Sequence, residues 1–443
     1  MNLPIEFKIR MKEMLQSEYD AFEEKFTNNE NYIALRINSL KKIPENLSDI
    51  ISGLEKVSWC ENGYYVTKDI IDGNSPYHIG GLLYFQEPSA MSVVPVLGIE
   101  PGDYVLDLCA APGGKATFAG EMLKGKGLLV ANEIITKRSL ILSDNIERMG
   151  IRNAVVTNES PKKLEEKFPE FFNKIIVDAP CSGEGMFRKE PKALSEWSVE
   201  HTESCSVRQK LIMDSAIKML SPGGRIIYST CTFAPCENEG VVDYVLSNYP
   251  DMRLVKIDAP EFSDGKSEYV NSSHDLSGSK RIFPHKNKGE GHFIALFEKD
   301  GIFEKPEFKE KYKEESSVKI FKEFEKNFLN TNFSGKFVLF GENLYLLPEN
   351  INIDKLKVER AGLFLGKIKK GRFEPSHALA LSLDVSEIKN VFEAPDIRKY
   401  LKGETLESDI TGWCAVTYEG ICIGWAKGSG GILKNHFPKY LRF

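Results

Sequence analysis

The chain has no long hydrophobic run, although it contains 443 residues. No stretch of about 18 consecutive apolar residues occurs, so no membrane-spanning helix is predicted. The first residues, Met1 to Phe7, lack the basic and apolar segments of a secretory signal peptide. The sequence therefore predicts a cytoplasmic protein without a membrane partner.

Cysteine is also scarce, with eight residues in the whole chain. They form neither a disulfide framework nor a C-x-x-C pair of the kind that binds zinc. Cys231 and Cys236 lie close together in the sequence, but no cluster of histidines accompanies them, so no metal site is expected. A reducing cytoplasm would keep these cysteines as thiols.

Two common nucleotide motifs are missing as well. The glycine-containing stretch Asp107-Leu-Cys-Ala-Ala-Pro-Gly-Gly-Lys115 is not a Walker A loop, because Ala116 follows Lys115 and Cys109 occupies the position of the first glycine. No strict G-x-G-x-x-G motif occurs, which argues against NAD.

What the stretch does have is the order strand, glycine loop, helix. The apolar strand Tyr104–Leu106 precedes it, and a helix-compatible run from Lys115 to Leu123 follows. Gly113 and Gly114 have no Cβ, so the backbone can turn tightly there and a ligand can approach it closely. This order is typical of a nucleotide-type cofactor loop at the carboxyl end of a parallel strand.

A second predicted strand, Gly127–Asn132, ends at Glu133. An acid about 20 residues past the glycines is where such folds usually bind a ribose diol. Taken alone, Glu133 could equally be an ordinary acid at a strand end. The order of strand, loop, helix, strand and acid favours the nucleotide site.

Two later strands add reactive side chains. Asn173–Val177 leads into Asp178-Ala-Pro-Cys181, and the strand Gly223–Thr230 ends at Cys231. Ligands of open α/β sheets bind outside the carboxyl ends of the strands, so these side chains should meet at the glycine loop. A carboxylate and two thiols beside a nucleotide suggest covalent attack by sulfur on carbon. The alternative is that both cysteines are buried small hydrophobes.

These residues carry a specific resemblance. The stretches Asp107–Lys115, Asp178–Gly185 and Tyr228–Glu239 resemble the signature motifs of the Nop/Sun family of RNA 5-methylcytosine methyltransferases. Supporting similarity occurs at Arg36–Leu40, Gln86–Met91, Arg281–His285 and Gly289–Phe293. The resemblance covers Leu3 to Phe297, with weaker similarity to the C-terminus. It implies S-adenosylmethionine as the methyl donor and a cytosine in structured RNA as the acceptor.

The family mechanism assigns roles to three residues. The resemblance implies that Cys231 attacks C6 of the cytosine, which activates C5, and that Cys181 assists the elimination that releases the product. Asp178 would bond the base near N3 and its exocyclic amine. Methyltransferases that act on amino groups carry Asn/Asp-Pro-Pro-aromatic at this position. Here Pro180 and Cys181 replace the second proline and the aromatic residue, which favours methylation of carbon.

The resemblance also implies a set of cofactor contacts. The glycine loop would wrap the methionine part, Glu133 the ribose, and Asp178 would lie near the amino-acid end. Arg138 matches a family arginine near the cofactor, although a solvated helix residue is an equally good interpretation. Asn158 stands where the family usually has an aspartate beside the adenine. The implied loop contacts are Cys109, Ala110, Ala111, Pro112, Gly113, Gly114 and Lys115.

The chain divides into four predicted parts. Residues 1–80 form a small α+β domain that resembles an RNA-recognition domain, and residues 81–299 form a doubly wound, Rossmann-like α/β core. Residues 300–319 are rich in Lys, Glu and Pro and form a charged linker. Residues 320–443 resemble the PUA-like, β-rich end of the RsmF-type branch, which acts on 16S rRNA. There, Trp413 and Trp425 are predicted to be core residues.

The net charge of −6 is unusual for a protein that binds RNA. Residues 351–443, however, contain 15 Lys and Arg against 11 Asp and Glu. Seven of these bases fall between Lys355 and Arg372, which favours RNA contact there, although a basic run can be merely solvated. We expect this end to bind RNA and to be dispensable for cofactor binding.

The function predicted is methylation of 16S rRNA by a monomeric enzyme, with the small ribosomal subunit as a possible form of the substrate. A tRNA substrate is the alternative within the class. From another class, the chain could be a non-catalytic RNA-binding protein of ribosome assembly. The presence of Cys231, Cys181 and Asp178 together argues against that alternative.

Overall fold

The computed structural model describes residues 3–27, 32–306, 318–349 and 351–443. The predicted linker sequence Glu307–Glu315 lies outside these residues. The helices are α1 (Ile5–Leu15), α2 (Tyr19–Thr27), α3 (Glu45–Ser52), α4 (Pro76–Ile79), α5 (Val93–Leu97), α6 (Gly114–Leu123), α7 (Thr136–Arg148), α8 (Pro161–Lys167), α9 (Pro191–Glu196), α10 (Val199–Met219), α11 (Glu239–Asn248), α12 (Val318–Phe328), α13 (His377–Ser382) and α14 (Ile397–Leu401).

The strands are β1 (Ala34–Ile37), β2 (Gly63–Tyr65), β3 (Leu83–Phe85), β4 (Tyr104–Asp107), β5 (Leu128–Asn132), β6 (Ala154–Thr157), β7 (Phe172–Asp178), β8 (Leu220–Thr230), β9 (Met252–Val255), β10 (Ser263–Asp264), β11 (Lys280–Ile282), β12 (His292–Lys299), β13 (Lys336–Phe340), β14 (Asn343–Leu347), β15 (Val358–Ala361), β16 (Leu363–Lys369), β17 (Arg372–Pro375), β18 (Val391–Glu393), β19 (Leu406–Glu407), β20 (Gly412–Tyr418), β21 (Ile421–Ser429) and β22 (Ile432–Asn435).

The middle of the chain forms one large sheet. Strands β6, β5, β4, β7 and β8 run parallel in that order. Strand β12 pairs antiparallel with β8, and β11 and β10 follow it. Helices connect the parallel strands, so the predicted doubly wound α/β core is confirmed.

Both faces of this sheet are buried. Val105 and Leu129 belong to the hydrophobic cluster under α6 and α7, whereas Leu106 and Val130 belong to the cluster under α8, α10 and α11. Alternate residues of a strand point to opposite faces, so a strand covered on both sides needs a continuous apolar sequence. This requirement explains the unbroken apolar runs that end at Asp107, Glu133 and Asp178.

The N-terminal residues pack against the core in two ways. Helices α1 and α2 open the described part of the chain, and Phe7 and Phe22 share a cluster with Phe233 and Phe283. The sheet β2-β1-β3 is antiparallel. From β1, the fully buried Arg36 pairs with Glu121 on α6. The first domain is therefore fixed directly to the helix that follows the glycine loop.

The C-terminal residues form a four-stranded sheet, β13-β14-β16-β17, and a five-stranded sheet, β18-β20-β21-β22-β19. Trp413 and Trp425 are buried, which confirms them as core residues. Leu35 of β1 lies in one hydrophobic cluster with Val416 and Ile423 of the five-stranded sheet. The two ends of the chain therefore pack against each other.

One C-terminal strand belongs to the core sheet. Strand β15 pairs antiparallel with β6, with Val358 opposite Thr157 and Ala361 opposite Val155. The Arg360 guanidinium, buried in this strand, donates to the Glu147 carboxylate at 3.0 Å. Arg360 is thus paired inside the protein, and its inclusion among the RNA-facing bases is wrong.

Among the described residues, no helix has the length and apolarity needed to cross a membrane.

Candidate active site at the carboxyl edge of the core sheet

The carboxyl ends of β4, β5, β7 and β8 surround a cleft of about 1030 Å³. Loops must leave a parallel sheet at these ends, and side chains from distant parts of the sequence therefore meet there. The predicted site residues that line it are Cys109, Ala110, Ala111, Pro112, Gly114, Lys115, Glu133, Arg138, Asp178, Cys181 and Cys231. The lining does not include Gly113 or Asn158.

The glycine loop has the tight geometry that its sequence predicts. Gly113 has a φ of 118°, which favours glycine, and α6 begins at the next residue. A Cβ on Gly114 would lie 3.3 Å from side-chain atoms of Tyr84 and Gln86, so the loop also needs glycine for close packing. Arg36 bonds the Gly114 carbonyl at 3.3 Å and fixes the start of the helix.

Asp107 ends β4 and lines the cleft, yet it was not predicted as a site residue. Its carboxylate is fully buried, and neither oxygen has a hydrogen-bond partner among the described residues. Burial, reinforced by the charge of Asp178, raises the pKa of Asp107 to about 8. A buried carboxyl group without donors is suited to a ligand that brings a donor or a positive charge.

Asp178 ends β7 and has polar or charged neighbours on three sides. The Lys115 ammonium lies 2.7 Å from Oδ2, and the Ser229 hydroxyl donates to Oδ1 at 2.7 Å. His292 Nε2 lies 3.7 Å from Oδ1, beyond hydrogen-bond distance. Burial alone would raise the pKa of Asp178, but the charge of Lys115 and the proximity of His292 outweigh it and lower the pKa. Asp178 is therefore an ionised acceptor on the cleft wall.

Cys181 and Cys231 meet as predicted, with their Sγ atoms 3.2 Å apart. The hydrogen bond with Cys231, followed by burial, raises the pKa of Cys181 well above its ordinary value. The raised pKa favours the protonated form of Cys181, and either thiol can donate to the other sulfur. Both residues are partly exposed and line the cleft, so neither is a fully buried core residue.

A buried carboxylate behind the two thiols connects their loops. Glu237 accepts from the backbone N–H of Ser182 at 3.0 Å, from the Ser182 hydroxyl, and from Gln209 Nε2 at 2.9 Å. The Ser182 and Thr232 hydroxyls are 2.8 Å apart, and each residue directly follows one of the cysteines. Burial raises the pKa of Glu237 to about 7.

This network corrects one sequence interpretation. Because Asn and Glu favour helix N-termini, the sequence alone indicates that Glu237, Asn238 and Glu239 cap and start a helix. Helix α11 does begin at Glu239, but Asn238 makes no side-chain cap bond. Asn238 instead donates to the Thr232 carbonyl at 2.9 Å, and Glu239 pairs with buried Arg281. The sequence signal that could have indicated this network is the pair of acids, Glu237 and Glu239, that closely follows the candidate nucleophile Cys231.

Glu133 lies on the far side of the cleft. Its Oε1 accepts from the Ile135 N–H at 2.9 Å, and its Oε2 lies 3.2 Å from Arg138 Nη1. Arg138 Nη2 also donates to the Ala111 carbonyl at 2.8 Å, so it bridges Glu133 and the glycine loop. Arg138 therefore makes specific contacts at the cleft, which the alternative of a merely solvated helix residue does not explain.

Asn158 supports the Glu133 loop from behind. Its Nδ2 donates to the carbonyls of Glu133 at 2.7 Å and Ile134 at 2.9 Å, and its Oδ1 accepts from the Thr136 hydroxyl. Its side-chain amide is therefore occupied within the protein.

The two histidines of the last core motif differ in position. His292 lines the cleft beside Asp178. His285 lies 3.1 Å from the Glu18 carboxylate and packs on aromatic rings. Among the described residues, no group of three or more His, Cys, Asp or Glu is arranged to hold a metal ion.

Sequence profiles of known families match almost the whole chain. The profile of the 16S rRNA methyltransferase RsmB/F matches residues 94–298, and that of the N-terminal domain of 16S rRNA methyltransferase RsmF matches residues 3–88. The RsmF rRNA methyltransferase first C-terminal domain matches residues 323–383, and the methyltransferase RsmF PUA domain matches residues 389–443.

Individual relatives agree. Ribosomal RNA small subunit methyltransferase F of Shewanella piezotolerans is 33% identical over 92% of this chain and 90% of its own length. A methyltransferase homolog protein from Pyrococcus horikoshii has a TM-score of 0.59 at 25% identity, covering 66% of this chain and 93% of its own.

The fold is also shared with NSun6 from Pyrococcus horikoshii, solved with SFG, an analogue of S-adenosylmethionine. Its TM-score is 0.58 at 22% identity, and the match covers 68% of this chain and 99% of that one. Together, the profiles and the full-length relatives show that this chain belongs to the RsmB/F family of S-adenosylmethionine-dependent 16S rRNA methyltransferases and carries the N-terminal, first C-terminal and PUA domains of its RsmF members.

Proposed function

We propose that the chain methylates C5 of a cytosine in 16S rRNA through a covalent bond between Cys231 Sγ and C6 of the base. The observation that carries the proposal is the pair of thiols, 3.2 Å apart, on the wall of the cleft that also holds Asp178. C5 of cytosine is a weak nucleophile, and addition of sulfur to C6 makes it enamine-like. A scaffold that only binds RNA has no need of such a pair.

The cleft fits S-adenosylmethionine, which supplies the methyl group when it is bound. Gly114 lies on the cleft wall in the tight loop that Gly113 makes possible, and the two unpartnered oxygens of Asp107 suit a ligand with an ammonium group. We assign Cys109–Lys115 to the methionine part and Glu133, held by Arg138, to the ribose. Asn158 acts behind Glu133 and positions its loop.

The thiols divide the work because their environments differ. In this mechanism Cys231 attacks as a thiolate, and Cys181, whose pKa is raised, stays protonated beside it. That thiolate forms the S–C6 bond, and the electron pair moves to C5. After C5 has gained the methyl group, the C5 proton leaves and the S–C6 bond breaks. One proton is released per methyl group, and Cys181 assists this elimination from beside the bond.

Asp178 and Lys115 hold the base. The ionised carboxylate accepts a hydrogen bond from the exocyclic amine of cytosine, and the ammonium 2.7 Å away offsets the negative charge that develops on the ring as sulfur adds. The base must leave its stack to reach the cleft, because a thiol cannot reach C6 within a helix.

Sequencing after bisulfite treatment tests the function. 16S rRNA and tRNA from a strain without the gene, with and without a plasmid copy, would be compared for cytosines that resist conversion. We expect one or more resistant positions in 16S rRNA that disappear with the gene and return with the plasmid. Resistant positions that disappear only from tRNA would favour the alternative substrate. No change in either RNA would refute cytosine-C5 methylation.

The proposal also covers the oligomeric state, the location and the domain division of the protein. We propose a monomer that acts in the reducing cytoplasm, since the pair of thiols must remain reduced. From the sequence we propose a division into residues 1–80, 81–299, a linker at 300–319 and 320–443, although β3 pairs with β1 across the first boundary.

A further inference from the structure

A second cavity lies at the other edge of the core sheet, where the N-terminal, core and C-terminal parts of the chain meet. Its volume is about 470 Å³. Five basic side chains and two acids line it: Lys41, Lys42, Lys124, Lys126, Arg152, Asp384 and Glu387. We call this cavity the basic groove.

Three of the lysines are available to a ligand. Lys42, Lys124 and Lys126 are exposed, and within the described part of the chain no carboxylate forms an ion pair with them. Lys124 and Gly125 have left-handed backbone, with φ of 48° and 73°, at the turn between α6 and β5. This tight turn presents Lys124 and Lys126 at the mouth of the groove, on the ordered core and not on a loose tail.

The other charged groups of the groove are engaged within the protein. Half-buried Lys41 donates to the carbonyls of Gly80 at 2.6 Å and Leu381 at 2.8 Å, which joins two parts of the chain. Arg152 pairs with Glu387. Asp384 accepts from the N–H of Ser386 at 2.9 Å. Arg152 and Glu387 offset each other, and the four lysines outnumber the one remaining acid, Asp384, so the groove is positive although the whole chain carries −6.

We propose that the basic groove binds phosphates of the 16S rRNA substrate at a distance from the cytosine that reacts. The proposal rests on the proposed function, and it adds a second contact surface for the same RNA. Lysine ammonium groups bind phosphates as point charges and release counterions from the RNA. The net negative charge of the protein repels RNA. A concave surface lined by positive charges attracts RNA locally and so offsets that repulsion.

The position of the groove defines the kind of RNA that can use it. Lys126 precedes β5 and Glu133 follows it, so the groove and the cofactor cleft lie at opposite ends of a five-residue strand. Such a strand is roughly 17 Å long at about 3.3 Å per residue. One RNA can reach both places only by passing around the edge of the sheet. The groove therefore selects folded rRNA or the small subunit over a short stem-loop.

Salt-dependent binding tests the proposal. The variant Lys124→Gln/Lys126→Gln would be compared with wild type and with Lys218→Gln/Lys256→Gln, which removes two exposed lysines away from the groove. Binding to unmethylated 16S rRNA would be measured from low to high salt, and again with a stem-loop trimmed around the methylated cytosine. Binding of S-adenosylhomocysteine would be measured for every variant to show that the fold is intact.

We expect the groove variant to bind 16S rRNA about tenfold more weakly and to lower the slope of log K against log salt by about 1–2, at roughly 0.9 per phosphate contact. The groove variant should bind the stem-loop like wild type. The control variant should bind both RNAs like wild type. Equal salt slopes for the two variants on 16S rRNA would overturn the proposal, as would an equal loss on the stem-loop. If wild type still methylates cytosine in that case, only the groove has failed.

Discussion

The Sγ atoms of Cys181 and Cys231 lie 3.2 Å apart, although 50 residues separate them in the sequence. The backbone maintains the contact as well, since the N–H of Gly185 donates to the Cys231 carbonyl at 2.9 Å. A Cβ on Gly185 would lie 3.0 Å from that oxygen, so the loop after Cys181 needs a glycine to approach this closely. Two thiols held in this way can perform two steps on one base.

The first prediction is that the two cysteines fail in opposite ways. Cys231→Ala removes the nucleophile, so methylation and the protein–RNA adduct should both be lost. Cys181→Ala leaves attack possible but impairs elimination, so the adduct should accumulate in the presence of S-adenosylmethionine. Denaturing gel electrophoresis with substrate RNA would show the adduct as a band of lower mobility.

A band with Cys231→Ala and none with Cys181→Ala would reverse the two assignments. Full methylation by both variants, with no band, would refute the covalent mechanism.

The second prediction concerns the buried carboxyl group of Asp107. Its pKa of about 8 in the folded protein exceeds the ordinary 3.8, so its contribution to stability is present at low pH and is lost as pH rises from about 4 to 8. Asp107→Asn cannot ionise. The stability of this variant relative to wild type should therefore increase by about 2–5 kcal/mol between pH 5 and pH 8.5.

Urea unfolding at several pH values, without cofactor, would measure the difference. Asp69→Asn, at an exposed aspartate, serves as the control and should follow wild type at every pH. If the difference in the free energy of unfolding between Asp107→Asn and wild type does not change with pH, the pKa of Asp107 is not raised by folding, and the prediction is wrong.

Much of the catalytic sheet could be predicted because its signals are local. The apolar runs that end at Asp107, Glu133 and Asp178 mark strands with both faces buried, and parallel strands place their carboxyl ends at one edge. The convergence of Cys181 and Cys231 followed from that rule alone. The glycine loop was equally predictable, because Gly113 takes a φ that other residues rarely adopt.

Contacts between distant segments could not be predicted in the same way. Glu237 fastens the loops of both cysteines, but a sequence of acids at a helix start is explained equally well by capping. Arg360 falls in a basic run that suggests a solvated face, and its pairing with Glu147 depends on β15 joining the core sheet. Strand pairing between remote segments leaves no periodic pattern in a single sequence.

The third prediction tests the ribose contact. Glu133→Ala should weaken binding of S-adenosylhomocysteine by about 1.5–3 kcal/mol, the range for a hydrogen bond to a charged partner. Calorimetry would measure the affinity for S-adenosylhomocysteine. The control is Glu166→Ala, which removes an exposed acid on α8. Unchanged affinity in a folded Glu133→Ala protein would remove Glu133 from the cofactor site.

The fourth prediction follows from the place of β15. From the sequence, the C-terminal end was expected to be dispensable for cofactor binding, but the structure connects it to the cofactor side of the sheet. The N–H of Asn158 donates to the Lys357 carbonyl at 2.9 Å, and the N–H of Lys357 donates to Glu159 Oε1 at 2.7 Å. Asn158 in turn bonds the carbonyls of Glu133 and Ile134. Loss of the Lys357 contact should therefore loosen the loop that carries Glu133.

Lys357→Pro removes the backbone N–H at this point, whereas Lys357→Ala removes the side chain and keeps the N–H. We expect the proline variant to bind S-adenosylhomocysteine about threefold to tenfold more weakly, as for one hydrogen bond lost, and the alanine variant to bind it like wild type. Calorimetry on both proteins separates the two effects. Equal weakening in both would assign the effect to the lysine side chain. Normal affinity in both variants would mean that the core alone holds the Glu133 loop. The C-terminal end would then not contribute to cofactor binding, as the sequence predicts.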